Sequence, residues 1–275
     1  MLKDILAVVE EADAAAGFLQ MIGDLAKAQG AHLEVAALTP APMVSSALAP
    51  FGSLYVPEAV LRDSDNQNIE KVRAILEKTG CQHDVLGFHD DVAWLAGDLR
   101  RSGQVADTII IGSEESWPTR WLRTRVLENL VGSAGTPILI LPAGKTFPTI
   151  RRAVLGWKPS PEANRAVHDL VRFAEPGALI DVVTVGITLP ECEKEQDSQA
   201  EVKRHLTRHG FAAEGRWLAI GDQLEAEALT RHALDMNADI LVVGGFARSR
   251  IREIILGGVT RDLVCRADLP VLIAG

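Results

Sequence analysis

The segments "ADTIIIGS" (Ala106 to Ser113) and "ADILVVGG" (Ala238 to Gly245) share an Ala-Asp start, three successive apolar residues and the glycine that follows them. The correspondence extends in both directions. "TPILILP" begins 24 residues after Gly112 and "LPVLIAG" begins 25 residues after Gly244, each a short apolar run entered through a proline. At the front, "KDILAVV" (Lys3 to Val9) and "RRAVLGW" (Arg151 to Trp157) each give an apolar run, then a polar turn and a helical pattern. Such a duplication constrains the chain to fold twice into the same unit, each of ordinary domain size.

Within each repeat, short apolar runs alternate with stretches whose apolar residues recur three and four apart. The first repeat predicts strands near 4–9, 33–39, 83–88, 107–111 and 137–141, and helices near 12–29, 58–79, 91–104 and 116–131. The second predicts strands near 152–157, 179–185, 213–220, 239–243 and 270–273, and helices near 161–174, 194–209, 222–236 and 249–266. This rhythm gives the fold class: α/β, two doubly wound parallel-sheet, Rossmann-like domains in tandem. The first occupies 1–144 and the second 151–275, joined by the Pro- and Gly-containing linker "PAGKTFPTI" (Pro142 to Ile150). Residues 40–57, with four prolines, are the longest unpatterned loop. A duplicated chain can bury equivalent surfaces as a homodimer does, so an internal pseudo-dimer about a pseudo-two-fold axis is expected, with the final strands near 137–141 and 270–273 in contact. Homodimerisation of the whole chain stays open.

The net charge of −9 disfavours general nucleic-acid binding, which needs a basic surface. Residues 1–144 carry 11 Lys+Arg against 19 Asp+Glu, leaving 17 against 18 for the rest, so the second repeat is the one that tolerates an anion. No apolar run approaches the ~20 residues of a membrane span. Asp4, Glu10 and Glu11 interrupt the N-terminal apolar residues, which argues against a signal peptide and for a cytoplasmic location. Cys81, Cys192 and Cys265 are widely separated and show no CxxC spacing.

Ligands of doubly wound sheets sit beyond the carboxyl ends of the strands, which draws attention to "GGFARSRIREIILGGVT", Gly244 to Thr260. Two readings of it stand side by side. In one, the glycines cradle phosphate while a helix N-terminus and Arg248 or Arg250 add positive potential. In the other, a turn and an amphipathic helix leave Arg248, Arg250 and Arg252 in solvent. GxxxxGK[ST] is absent and GxGxxG does not fit, which sets aside a P-loop and an ordinary dinucleotide site.

The pattern Gly244-x2-Ala247-x9-Gly257-Gly258-Val259-Thr260, followed by "RADLPVLI", resembles the C-terminal part of the universal stress protein family, whose nucleotide-binding members carry G-x2-G-x9-G-[ST]. "AVLGWKPSPEANRAVHDLV" (Ala153 to Val171) is similar to the family's first strand and helix, and the resemblance covers the whole chain as a tandem pair. It implies a stress-response regulator holding ATP or another adenine nucleotide in the second repeat, and because no constellation in the sequence demands catalysis, no enzymatic activity is expected. The implied site comprises Gly156, Trp157, Lys158, Gly244, Gly245, Arg248, Ser249, Arg250, Gly257, Gly258, Val259 and Thr260, with no catalytic residue and no metal. The chain departs from the family pattern at Ala247, where a glycine belongs, at Gly258, where Ser or Thr belongs, and at Lys158, where the family places Asp. A ligand-free interaction module and a weak nucleotide hydrolase are the rival readings. If the glycine turn holds phosphate, Gly244→Val is expected to abolish binding.

In the first repeat Gly112 is followed by Glu114 and Glu115, and Thr124 falls where the second small pair belongs, so at most one nucleotide per chain is expected. Arg120 and Arg123 are read as pairing with Glu128 or solvent. Gly132 and Ser133 lie only five residues before Pro137 and cap a helix end.

Other candidates carry less. His205 and His209 are four apart near a helix C-terminus, where cationic groups favour the dipole over a metal. His83, His89, Asp90 and Asp91 read as a turn with Asp caps. Ser116, His168 and Asp169 belong to no nucleophile-elbow pattern. Trp117 and Trp121 read as core or interface rather than a stacking platform.

Overall fold

The computed structural model describes residues 2–40, 58–90, 103–133, 135–188, 196–221, 223–245 and 268–275. The chain divides into two compact units, Leu2–Val126 and Leu127–Gly275.

In the first unit, β1 (Asp4–Val9), β2 (His32–Pro40), β3 (Gln82–Asp90) and β4 (Thr108–Ile111) are all parallel, in the order β3-β2-β1-β4. The central strands β1 and β4 are nearly continuous apolar runs because a parallel strand covered on both faces has no solvent side. Helices α1 (Ala16–Gln29) and α2 (Glu58–Thr79) connect the first three strands. α1 buries Leu19, Ile22, Gly23 and Ala26, an i, i+3, i+4, i+7 face, and ends at Gly30 in the left-handed region, φ 59°.

α1 starts four residues later than the apolar pattern predicts. Asn68 donates to the Glu10 carbonyl at 2.7 Å and accepts from the Ala12 N–H at 2.9 Å, which holds residues 10–12 in a turn outside the helix. The pattern near 116–131 likewise resolves into a short 3₁₀ turn (Glu114–Ser116) and α3 (Arg120–Ser133), with Pro118 between them. The expected helix near 91–104 lies largely outside the described residues.

In the second unit, β6 (Arg152–Gly156), β7 (Leu179–Gly186), β8 (Ala212–Ala219), β9 (Ile240–Gly244) and β10 (Val271–Ala274) form a parallel sheet in the order β10-β9-β6-β7-β8. One further strand joins it. β5 (Ile138–Ile140), the last strand of the first repeat, pairs antiparallel with β10 in the register Ile140↔Val271, Leu139↔Leu272 and Ile138↔Ile273. The expected contact between the two final strands is therefore present, and it covers an edge that β10 otherwise leaves open. Among the described strands β8 pairs only with β7, and it bears Glu214 and Arg216 on its exposed positions, charges that suit a sheet edge.

Helices α4 (Pro161–Phe173), α5 (Gln196–Arg208) and α6 (Glu225–Asp235) complete the unit. α4 starts at Ser160, whose hydroxyl accepts from the Ala163 N–H at 3.0 Å, followed by Pro161 and Glu162 in the first turn. Its buried face, Ala163, Ala166, Val167 and Leu170, lies mainly on β9 and β10, while α5 lies on β8 and β7.

The repeated Ala-Asp pair has the same role twice. Asp107 Oδ2 accepts from the Lys3 and Asp4 N–H groups at 2.6 and 3.2 Å, and Asp239 Oδ2 accepts from Arg151 and Arg152 at 2.8 Å each. In both repeats the aspartate before the fourth strand ties down the start of the first.

Candidate functional site

In the second repeat the chain leaves β6 toward β7 on one side, while β9, its other neighbour, leads on to β10. The strand order reverses between β6 and β9, and a crevice opens at their carboxyl ends. Gly156 ends β6 and Gly244 ends β9. Beyond Gly156, the Trp157 N–H donates to the Val183 carbonyl at 2.7 Å, its ring is buried, and its indole N–H donates to the Ser198 hydroxyl at 3.2 Å. Lys158 follows, exposed and without an ion-pair partner among the described residues. Val183, Val185, Leu229 and Val243 line a small apolar slot here, with Lys158 and Glu225 as its charged residues. Its volume is about 40 Å³, room for roughly one water and well below the ~300 Å³ of ordinary small-molecule clefts.

The glycines at this crevice serve the fold directly. A Cβ on Gly244 would lie 2.6 Å from the backbone nitrogen of Ala163 and 2.8 Å from the carbonyl carbon of Glu162, so glycine lets the first turn of α4 close on the end of β9. The Gly245 N–H donates to the Ala274 carbonyl at 2.6 Å. A Cβ on Gly245 would meet Val131 Cγ1 at 2.5 Å. Of the sequence-derived site residues, Gly156, Trp157, Lys158, Gly244 and Gly245 thus come together. Arg248, Ser249, Arg250, Gly257, Gly258, Val259 and Thr260, with the departures Ala247 and Gly258, lie outside the described residues.

The corresponding crevice of the first repeat is occupied by the chain's own groups. Counting from the matched strand starts Asp4 and Arg152, Glu10 stands where Lys158 stands in the second repeat. Its buried carboxylate accepts from the Thr119 N–H at 2.7 Å, immediately before α3, where the helix dipole favours a negative charge. The expectation that Arg120 and Arg123 turn to Glu128 or solvent is corrected here. Arg123 is buried, and its Nε and one terminal nitrogen donate to the Gly112 carbonyl at 3.3 and 3.2 Å. Arg120 Nε lies 3.0 Å from Glu114 Oε1, so that glutamate is compensated. Burial selects this geometry: a guanidinium drawn under the helix must find an acceptor, and the carbonyl at the end of β4 is within reach. Aligning the two repeats position by position would have pointed to Glu10; no local pattern marks Arg123.

The remaining candidates resolve individually. Trp117 is core, whereas Trp121 is exposed with the Arg125 guanidinium 5.9 Å from its ring centre. The Ser116 hydroxyl donates to the Ser113 carbonyl at 2.7 Å. The His83 ring nitrogen Nδ1 lies 3.1 Å from the Cys81 carbonyl, and Cys81 is a buried free thiol. Cys192, Cys265 and Asp91 lie outside the described residues. His205 and His209 do stand side by side at the end of α5, ring centres 4.6 Å apart, and His168 of α4 joins them with its ring 5.5 Å from that of His205. Among the described residues, no group of three or more His, Cys, Asp or Glu is arranged to hold a metal ion, and no helix is long and apolar enough to cross a membrane.

Comparison with known proteins gives a consistent assignment. The model of the universal stress protein family matches twice, over residues 1–142 and 149–275. Universal stress protein Slr1230 of Synechocystis is 28% identical over 152 residues, covering 53% of this chain and 49% of that protein. Stress response protein NhaX of Bacillus subtilis is 38% identical over 48 residues, covering 18% and 29% respectively. The chain thus spans half or less of the length of these relatives. Among solved structures, a universal stress protein from Archaeoglobus fulgidus superimposes with a TM-score of 0.67 at 12% identity, covering 98% of this chain and 96% of the other. A functionally unknown protein of Pseudomonas aeruginosa does so with a TM-score of 0.56 at 14% identity, covering 99% and 92%.

Proposed function

The chain belongs to the universal stress protein family, two copies of whose domain it carries in tandem, and from that premise we propose that it is a non-enzymatic, cytoplasmic stress-response regulator holding one ATP or other adenine nucleotide in its second repeat. The observation that carries this reading is the contrast between matched positions at the ends of β1 and β6. In the first repeat Glu10 is buried and bonded to the Thr119 N–H. In the second, the equivalent of Glu10 is the exposed Lys158, beside an apolar slot at the point where strand order reverses. A lysine there favours phosphate, and the apolar slot favours the flat face of a base. Base entry requires the slot to widen from its present volume of about 40 Å³.

Calorimetry of the full chain with ATP, ADP and AMP tests the proposal, together with mass spectrometry of any copurifying small molecule. One site per chain is expected, weakened about tenfold or more by Lys158→Glu through loss of a charged contact and gain of repulsion. Two sites, or equal affinity in the variant, would contradict it. Absence of binding at millimolar nucleotide would select the second reading, a ligand-free interaction module. The slot's size and the packing duty of Gly244 are the observations that favour that reading.

A further inference from the structure

Between α4 and α5 runs a groove of about 620 Å³, within the ~300–1,000 Å³ range of small-molecule sites. It lies apart from the β6–β9 slot, the Trp157 side chain being shared by both. Its lining has a consistent chemistry. Arg204 and Arg208 project from α5 with no ion-pair partner among the described residues, the His168 and His205 rings meet edge to face with centres 5.5 Å apart, and Ser160 and Asn164 add neutral polar groups from α4. Glu201 is the single carboxylate in the lining. Trp157, Pro159, Val167 and Val202 supply apolar surface.

One atom in this arrangement is unsatisfied. His205 Nε2 is inaccessible to solvent and has no hydrogen-bond partner. Burial, reinforced by His209, His168 and Arg208, lowers the pKa of His205, the direction expected of an imidazole among cationic neighbours. The same surroundings decide between ligand classes. A divalent cation would sit among two arginines and only one carboxylate, against Coulomb's law, whereas an anion meets two guanidiniums.

We propose that the α4–α5 groove is a binding site for a small organic anion, its phosphate or carboxylate head held by Arg204, Arg208 and the His168–His205 pair, and its apolar body directed toward Trp157. The site is independent of the nucleotide reading, because none of its cationic residues lines the β6–β9 slot.

The test follows the histidine rings of the full-length protein by ¹H–¹⁵N correlation NMR during titration with phenyl phosphate in one arm and benzoate in the other. Saturable shifts of His168 and His205 are expected, with the lowered pKa of His205 rising on binding because the anion stabilises the protonated ring. The arm with the higher affinity identifies the head group. Arg204→Gln and Arg208→Gln, both at exposed positions, are each expected to weaken binding about tenfold or more, and Lys158→Ala to leave it unchanged. Histidine resonances that ignore both probes at millimolar concentration would overturn the proposal. Equal affinity in the folded Arg204→Gln, Arg208→Gln double variant would overturn it as well. Loss of binding in Lys158→Ala alone would reassign the anion to the β6–β9 crevice.

Discussion

Gly244 and Ala163 meet backbone to backbone: a Cβ at residue 244 would stand 2.6 Å from the Ala163 nitrogen, at the first turn of α4. A side chain there must push the helix away from β9. Gly244→Ala is therefore expected to destabilise the protein by about 1–3 kcal/mol, the range for overpacking, with Gly244→Val worse. Urea denaturation measures this. A variant as stable as the parent would show that α4 yields without cost. Loss of nucleotide binding in Gly244→Val cannot then be ascribed to a blocked phosphate, which makes Lys158 the better probe of the crevice.

Glu10 and Thr119 give the second prediction. Glu10→Ala removes the acceptor from the N–H at the start of α3 and is expected to cost about 0.5–2 kcal/mol, as for a lost helix cap. Glu10→Gln, which keeps an acceptor oxygen, should recover most of that. Amide hydrogen exchange at Thr119 is the direct readout: protection should fall in the alanine variant and persist in the glutamine one. Unchanged protection in both would mean that the bond is not formed in solution.

Gln199 and Gly215 form a coupled pair. The buried Gln199 amide donates to the Val182 carbonyl at 3.0 Å, the Thr184 hydroxyl at 3.1 Å and the Arg216 carbonyl at 2.9 Å, bridging β7 and β8. Its Oε1 lies 2.5 Å from where a Cβ on Gly215 would be. Gly215→Ala alone should destabilise by about 1–3 kcal/mol. Combined with Gln199→Ala, it should cost less than the sum of the two single changes, by roughly 0.5–3 kcal/mol. Strict additivity in this double-mutant cycle would refute the contact.

Asp169 on α4 makes stability depend on pH. Burial raises its pKa from 3.8 to about 6, against the opposing pull of Arg172, His168 and Arg165. Because the folded pKa lies above the unfolded one, the native state holds the extra proton between about pH 4 and 6, and stability is lost as pH rises through that window. The carboxyl is only partly buried, so solvent screening limits the loss to at most about 2 kcal/mol. The stability difference between the parent and Asp169→Asn should therefore widen in the variant's favour from pH 4 to pH 7. A constant difference across that range would contradict the shift.

Much of the fold is written along the chain. The runs that become β1, β4, β6, β9 and β10 are apolar almost without interruption, because a strand covered on both faces cannot alternate. α4 announces itself through Ser160, Pro161 and the spacing of Ala163, Ala166, Val167 and Leu170. The duplication, visible in two Ala-Asp pairs, carries over to the level of single hydrogen bonds at Asp107 and Asp239. These features depend on neighbours a few residues away or on repetition, and both are properties of the string. The start of α1, by contrast, is set by Asn68 from another helix, and Gly244 is required by a helix turn some eighty residues before it. The burial of Arg123 and the meeting of His168 with His205 likewise depend on which elements pack side by side. Periodicity records which face of a segment is buried; which polar group it meets there is decided only when distant segments are brought within hydrogen-bonding distance.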